Sequence, residues 1–185
     1  MNIMNKTIII IFLIFKGIVA QEVFIGTSKN SYDFYKFDYK NLSIEIQNNV
    51  NNSILTPRVK FLLNNFYSIS GLYYMEKDVK SNRIEITIQK FNGYGFGQSF
   101  GFEKYVKFRI NLTRFWIYNK GEMDFYNLPI TAYWSGRINI DNFNILISKR
   151  IVNNISLFCF FDYKKYYGVS KLVKNNIFVG FIFGE

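Results

Sequence analysis

Apolar and polar residues alternate along most of this chain, in one segment after another. In 42–46, 84–88 and 106–112, apolar side chains occupy every second position. Successive side chains of a β-strand point to opposite faces, so a period of two predicts strands with one apolar and one polar face. No convincing helical period of 3.6 residues follows residue 20. The pattern therefore predicts an all-β protein.

Short polar breaks separate these alternating segments. Asn64-Asn65 and Asn153-Asn154 predict turns, and Asn92-Gly93 predicts a β-hairpin because both residues tolerate positive φ. The segments between the breaks correspond to about ten strands of roughly 9–11 residues, the length of a tilted membrane-spanning strand. About eight strands result if the first run or the segment around Ile138 does not span. Longer connections are predicted at 76–82, 119–124 and 163–176.

The N-terminus has the features of a targeting segment. Lys6 precedes an apolar run over 8–15, and the small residue Ala20 precedes Gln21. This order predicts a secretory signal peptide over 1–20, with an apolar core too short to span a bilayer as a helix. Residues 21–40 are interpreted as an N-terminal segment, either a periplasmic tail or an early strand. The barrel proper is expected over 41–185.

Composition narrows the possible chemistry. The net charge is +10, and it becomes +8 if Lys6 and Lys16 leave with the signal peptide. The chain contains no His and one Cys, which excludes a Ser-His-Asp triad, a His-ligated zinc and a disulfide framework. No cofactor is expected. Nucleic acid is not an expected partner either, because no recognition motif accompanies the positive charge.

Charged side chains on the polar face favour a membrane barrel over a soluble sheet. In a membrane barrel the apolar face meets lipid and the polar face fills the lumen. The expected fold is an antiparallel up-and-down transmembrane β-barrel of 8–10 strands. A soluble secreted or periplasmic β-sandwich or lipocalin-like ligand-binding domain remains the alternative. The candidate lumen network consists of Glu45, Lys60, Glu85, Lys107 and Arg109.

The glycine-rich run at 92–102 has two interpretations. A phosphate-binding loop needs a preceding strand and a following helix, and the residues after this run alternate like a strand. The alternative is structural, because inward-facing glycines leave room for bulky neighbours and allow a sheet to curve. The second interpretation is preferred.

Three segments resemble the PorT-like family of small outer-membrane β-barrel proteins. They are FGFEKY at 100–105, WIYNKG at 116–121 and YNLPI at 126–130, and NIFVGFIF at 176–183 is similar to the closing strand of that family. The resemblance covers roughly residues 95–185. It implies a membrane barrel and an outer-membrane location, and it carries over no catalytic residue.

The expected function is non-enzymatic. The protein is interpreted as a structural or anchoring barrel, or as an accessory subunit of an envelope or secretion complex. Its expected partners are outer-membrane lipid and other envelope proteins. A membrane-embedded hydrolase is disfavoured because such enzymes usually rely on a His base. Trp116, Tyr118, Tyr126 and Trp134 are candidates for interfacial girdles. Lysines in predicted loops are candidate contacts for lipid headgroups: Lys77, Lys80, Lys164, Lys165, Lys171 and Lys174.

Overall fold

The computed structural model describes residues 21–168 and 172–184. Their backbone forms ten β-strands. The strands are β1 (Glu22–Ser28), β2 (Asp33–Tyr39), β3 (Leu42–Asn48), β4 (Asn52–Leu62), β5 (Tyr67–Ser81), β6 (Glu85–Glu103), β7 (Lys107–Phe125), β8 (Thr131–Val152), β9 (Ile155–Tyr167) and β10 (Leu172–Phe183).

The ten strands form one closed barrel. Each strand pairs antiparallel with the next along the chain, and β1 closes the ring by pairing with β10. The predicted all-β up-and-down barrel is confirmed, with ten strands. The alternative of a β-sandwich is wrong, because a single sheet closes on itself instead of two sheets packing face to face.

The proposed boundary at residue 41 is also wrong. Residues 21–40 contain β1 and β2, and both belong to the barrel wall. Without them β3 and β10 would have unpaired edges, which a closed sheet avoids. The predicted signal peptide over 1–20 lies outside the described residues.

The asparagine pairs at strand ends were correctly interpreted as turns. Asn64-Asn65 lies between β4 and β5, and Asn153-Asn154 lies between β8 and β9 with φ 68° at Asn154. Asn92-Gly93 is not a hairpin, because β6 continues straight through it. An added Cβ at Gly93 would collide with the backbone of Trp116 and Ile117, so this glycine permits close packing inside the wall.

The connections predicted to be long are mostly strand. β5 continues to Ser81, β7 passes through 119–124, and β9 and β10 leave only 168–171 between them. The polar residues in these stretches face the lumen, as Lys164 and Lys174 do, or lie on the outer wall, as Lys77 and Lys165 do. Polarity alone therefore did not mark the strand ends.

Strand lengths are strongly unequal around the ring. β1, β2 and β3 have 7 residues each, whereas β8 has 22. Since β9 ends at Tyr167, opposite Asn139, parts of β6, β7 and β8 continue past it as a strand extension. The strand extension consists of residues 85–91, 119–125 and 131–138. It lies at one end of the barrel, and the start of β1 and the finish of β10 lie at the other end.

The interior contains two apolar clusters with polar side chains around them. One cluster centres on Tyr74, Phe115 and Ile140, and the other on Phe34, Phe158 and Phe178. None of the described segments forms a helix of sufficient length and hydrophobicity to cross a bilayer.

Candidate functional site: a filled interior and an apolar outer wall

The two faces of the barrel wall differ sharply in burial. On β7, Asn111, Thr113 and Phe115 are buried, while the intervening Leu112 and Trp116 are exposed. Residues directly opposite each other in antiparallel strands share a face, so the pairing register extends this assignment around the ring. The lumen is therefore lined by one alternate set of side chains, and the outer wall by the other.

Glycines on the inward face of β6 make room for neighbouring side chains. Gly95 lies against the Phe115 ring, and an added Cβ there would overlap it. At Gly97 an added Cβ would be 2.8 Å from Ser70 Oγ and 2.9 Å from Thr113 Oγ1. This geometry confirms the structural interpretation of the glycine-rich run.

The Glu76 carboxylate is the centre of one interior network. Lys174 Nζ and Asn52 Nδ2 each donate to Oε1 at 2.7 Å. The hydroxyls of Tyr74 and Tyr166 donate to Oε2 at 2.7 and 3.0 Å. A buried charge is tolerated only when it is paired and hydrogen-bonded, and Glu76 meets both conditions.

Asp162 is the centre of a second network. Gln47 Nε2 donates to Oδ2 at 2.9 Å, Asn144 Nδ2 donates to Oδ1 at 2.5 Å, and Lys164 Nζ lies 3.0 Å from Oδ2. Gln47 also donates to Glu45. Since Gln47 is on β3 and Asp162 is on β9, this network crosses the lumen.

A third group of charges lies at the end of the barrel where β1 starts and β10 finishes. Asp38 pairs with Lys36 at 2.7 Å and with Lys60 at 3.1 Å. Lys107 of β7 pairs with Glu22 of β1 on the far side of the ring. Together the three groups fill the interior with charged and aromatic side chains.

The structure brings four of the five predicted lumen residues to the inward face. They are Glu45, Lys60, Lys107 and Arg109, each at an inward register position. Glu85 begins β6 in the strand extension, where it accepts a hydrogen bond from Asn82 across the turn. Glu85 therefore does not join the buried network.

Five of the six predicted loop lysines lie in strands, so their placement in loops is wrong. Lys164 and Lys174 face the lumen and pair with Asp162 and Glu76, which removes them as headgroup contacts. Lys77 and Lys165 face outward. Lys80 is exposed near the end of β5, and Lys171 lies outside the described residues.

Sequence reasoning missed Glu76, Asp162 and Lys164 as interior residues. Asp162 and Lys164 occupy the same set of alternate positions on β9 as the buried Phe158 and Phe160. Extending the alternation of β9 past residue 162 would have identified them. They were missed because a lysine pair was interpreted as a loop.

The outer wall carries an apolar belt. On β8, Phe143, Ile145 and Ile147 face outward between Asp141 and Lys149. The eight steps between these flanking charges cover about 27 Å along the strand, or about 21 Å along a barrel axis at a tilt of about 40°. Other strands contribute outward apolar residues: Ile44, Ile46, Leu55, Val59, Phe100, Phe102, Phe108, Ile110, Leu157, Phe161, Ile177, Val179 and Phe181.

An aromatic row borders this belt on three neighbouring strands. Tyr73, Tyr94 and Trp116 lie directly opposite one another, and the Tyr73 and Tyr94 rings are 5.1 Å apart. Of the predicted girdle residues, Trp116 and Tyr118 face outward. Tyr126 lies in the β7–β8 turn, and Trp134 packs against Gly121.

An exposed ion pair lies beside the aromatic row. Arg114 of β7 donates to both carboxylate oxygens of Asp141 on β8, at 2.7 and 2.8 Å. The two side chains are 59% and 33% exposed on the outer wall. Nothing in the sequence pattern distinguished this outward pair from the inward charges.

Within 21–168 and 172–184, no group of three or more Asp, Glu or Cys side chains is arranged to hold a metal ion. The interior carboxylates described above are engaged by lysine, amide or tyrosine partners. The arrangement is suited to holding opposite walls together and to contacting an apolar medium outside.

Comparisons with solved structures returned other barrels. The chain is similar to Neisserial surface protein A, with 13% identity over 87% of this chain and 90% of that chain and a TM-score of 0.45. It is also similar to a loop L8 deletion mutant of OmpT, an outer membrane protein of Vibrio cholerae. That match has 10% identity over 83% of this chain and 52% of that chain, with a TM-score of 0.36. No family model and no curated protein matches the sequence. The fold assignment therefore rests on the strand pairing of this chain.

Proposed function

We propose that this chain is a non-enzymatic outer-membrane β-barrel protein, which acts as a structural or anchoring element or as an accessory subunit of an envelope or secretion complex. The observation that carries the proposal is the apolar belt on the outer wall. A soluble barrel would place its apolar side chains inside, and this one exposes many of them. The belt's height of about 21 Å is close to the roughly 25 Å apolar band of outer-membrane barrels.

The interior argues against a lipocalin-like ligand-binding cup. Such a cup needs an open apolar cavity, whereas the lumen here is crossed by ion pairs such as Lys174–Glu76. The same side chains argue against a wide diffusion pore. The absence of histidine and the engagement of interior carboxylates support a role without catalysis.

The lengths of the connections support one orientation. Connections at the end where β1 starts and β10 finishes have two to four residues, and those at the other end have three to five and adjoin the strand extension. Outer-membrane barrels have short periplasmic turns and longer extracellular loops. We therefore assign the start of β1 and the finish of β10 to the periplasm and the strand extension to the cell exterior. The motifs at 100–105, 116–121 and 126–130 support a relationship to PorT-like barrels.

The test is outer-membrane fractionation of the full chain, followed by electrophoresis of boiled and unboiled samples. The expected result is an outer-membrane fraction that resists carbonate extraction and migrates differently after boiling, because a folded barrel resists detergent until heated. A soluble periplasmic fraction without a mobility shift would overturn the proposal. A planar-bilayer recording on the refolded protein is expected to contain no large, stable conductance steps.

A further inference from the structure

Three lysines form a row across the outer wall of β5, β6 and β7. Lys77 lies directly opposite Lys90, and Lys90 lies directly opposite Lys120. All three side chains are exposed, and each follows or precedes an inward residue such as Glu76, Phe91 or Gly121. Like charges directly opposite in a sheet are destabilising, so this lysine row has an energetic cost to the folded protein.

The lysine row differs from the lysines of the interior. Each interior lysine is matched to a carboxylate: Lys36 and Lys60 to Asp38, Lys107 to Glu22, Lys164 to Asp162, and Lys174 to Glu76. Among the described residues, no carboxylate forms an ion pair with any member of the lysine row. The Lys120 ammonium instead lies 5.5 Å from the Tyr118 ring centroid. On the outer face Glu122 lies two residues from Lys120 and lines a surface pocket with Lys90 and Lys120, without forming an ion pair with either lysine.

The lysine row runs parallel to the aromatic row. On each of the three strands the lysine is four residues from the aromatic residue, as with Lys77 and Tyr73. Four steps correspond to about 14 Å along a strand and about 10 Å along the barrel axis at a tilt of about 40°. Aromatic girdles lie at headgroup level, so the lysine row lies at the outer part of the headgroups or just beyond it.

We propose that the lysine row binds the headgroup of an outer-leaflet lipid that carries phosphate monoesters. This inference rests on the membrane location and orientation proposed above. The charge balance favours monoesters, because a phosphodiester supplies one negative charge whereas each monoester supplies about 1.5 to 2 at pH 7. With Glu122 beside them, the three lysines carry a net charge of about +2. One lipid with a single phosphodiester leaves about half of that charge uncompensated, whereas one lipid with two monoesters compensates all of it.

The experiment measures lipid retained by the full chain after refolding and detergent exchange. Wild-type protein is refolded in phosphatidylcholine vesicles that contain either diphosphorylated lipid A or phosphatidylglycerol, and the bound lipid is quantified by mass spectrometry. The test variant carries Lys77→Gln, Lys90→Gln and Lys120→Gln. The matched control carries Lys40→Gln, Lys104→Gln and Lys149→Gln, three exposed lysines outside the row.

The wild type and the control are expected to retain lipid A equally, and the test variant is expected to retain at least about tenfold less. Phosphatidylglycerol retention is expected to be low in all three proteins. Equal retention by the test variant, or an equal loss in the control, would overturn the inference. Displacement of lipid A by millimolar inorganic phosphate would mean that the site takes a soluble anion, which also overturns it.

The mobility shift on boiling is recorded for the same samples. If the mobility of the protein shifts on boiling but the protein does not retain lipid A selectively, the lysine-row inference is refuted and the barrel proposal stands. A protein that neither inserts nor shifts refutes the barrel proposal itself. The two failures are therefore distinguishable.

Discussion

Lys174 and Glu76 meet across the full width of the barrel, with Nζ 2.7 Å from Oε1. Their strands, β10 and β5, are separated by five places in either direction around the ring. Glu76 also accepts hydrogen bonds from Asn52 of β4, Tyr74 of β5 and Tyr166 of β9, so four strands share one carboxylate. A contact of this kind holds opposite walls together at the centre of the molecule.

Replacing Glu76 with alanine is expected to destabilise the barrel strongly. The change removes the acceptor of two tyrosine hydroxyls and leaves Lys174 only its 3.5 Å pair with Asp78. Breaking a buried ion pair typically costs about 3–5 kcal/mol. The measurement is the free energy of unfolding in urea, with the protein in lipid vesicles. Glu85→Ala at the β5–β6 turn is the control and should cost less than about 0.5 kcal/mol. Equal losses would mean that the interior network does not stabilise the fold.

Placing a charge in the apolar belt is expected to oppose membrane insertion. Ile145→Lys, at the centre of the belt on β8, should reduce the free energy of unfolding in vesicles by about 2–4 kcal/mol. Tyr133 faces outward in the strand extension, so Tyr133→Lys should change the free energy of unfolding by less than about 0.5 kcal/mol. If both variants behave alike, the outer wall does not meet lipid at Ile145.

The alternation of side chains was sufficient to predict the barrel and most of its interior. Glu45, Lys60, Lys107 and Arg109 were found because each lies inside an unambiguous run with a period of two. Strand ends were harder, because beyond the apolar belt the strands continue with a mixture of polar and apolar residues on the outer face. Lys90 and Lys120 lie in that part of the wall, and their alignment depends on the pairing register between strands. That register is a long-range property that no single segment encodes.

Gly95 is expected to tolerate no side chain. Gly95→Ala places a methyl group against the Phe115 ring, and overpacking of this kind costs about 1–3 kcal/mol. Gly71→Ala is the control, because nothing lies within 4 Å of the added Cβ. The double variant Gly95→Ala with Phe115→Ala should lose less free energy of unfolding than the two single variants lose together, as measured by urea unfolding. Strict additivity would contradict the predicted overlap.

Cys159 offers a test of the outer wall that uses the native cysteine of the chain. It is the single cysteine of the chain, and it is exposed on the outward face of β9 among belt residues. A charged, water-soluble maleimide should react with it at least about tenfold more slowly in vesicles than with a cysteine in water, because the reactive thiolate is suppressed in an apolar medium. The comparison protein carries Cys159→Ser and Ser135→Cys, with the thiol in the strand extension. Equal rates would place Cys159 in water.

The seam between β1 and β10 determines the order of assembly. Every other strand pair joins neighbours along the chain, whereas this seam brings Gly26 opposite Gly180. The entropic cost of closing a loop rises with its length, so the nine hairpin contacts form ahead of the seam. Until then the nascent sheet has two bare edges, which are the sites most prone to aggregate. Pairing of the seven-residue β1 with β10 is the step that removes both bare edges at once.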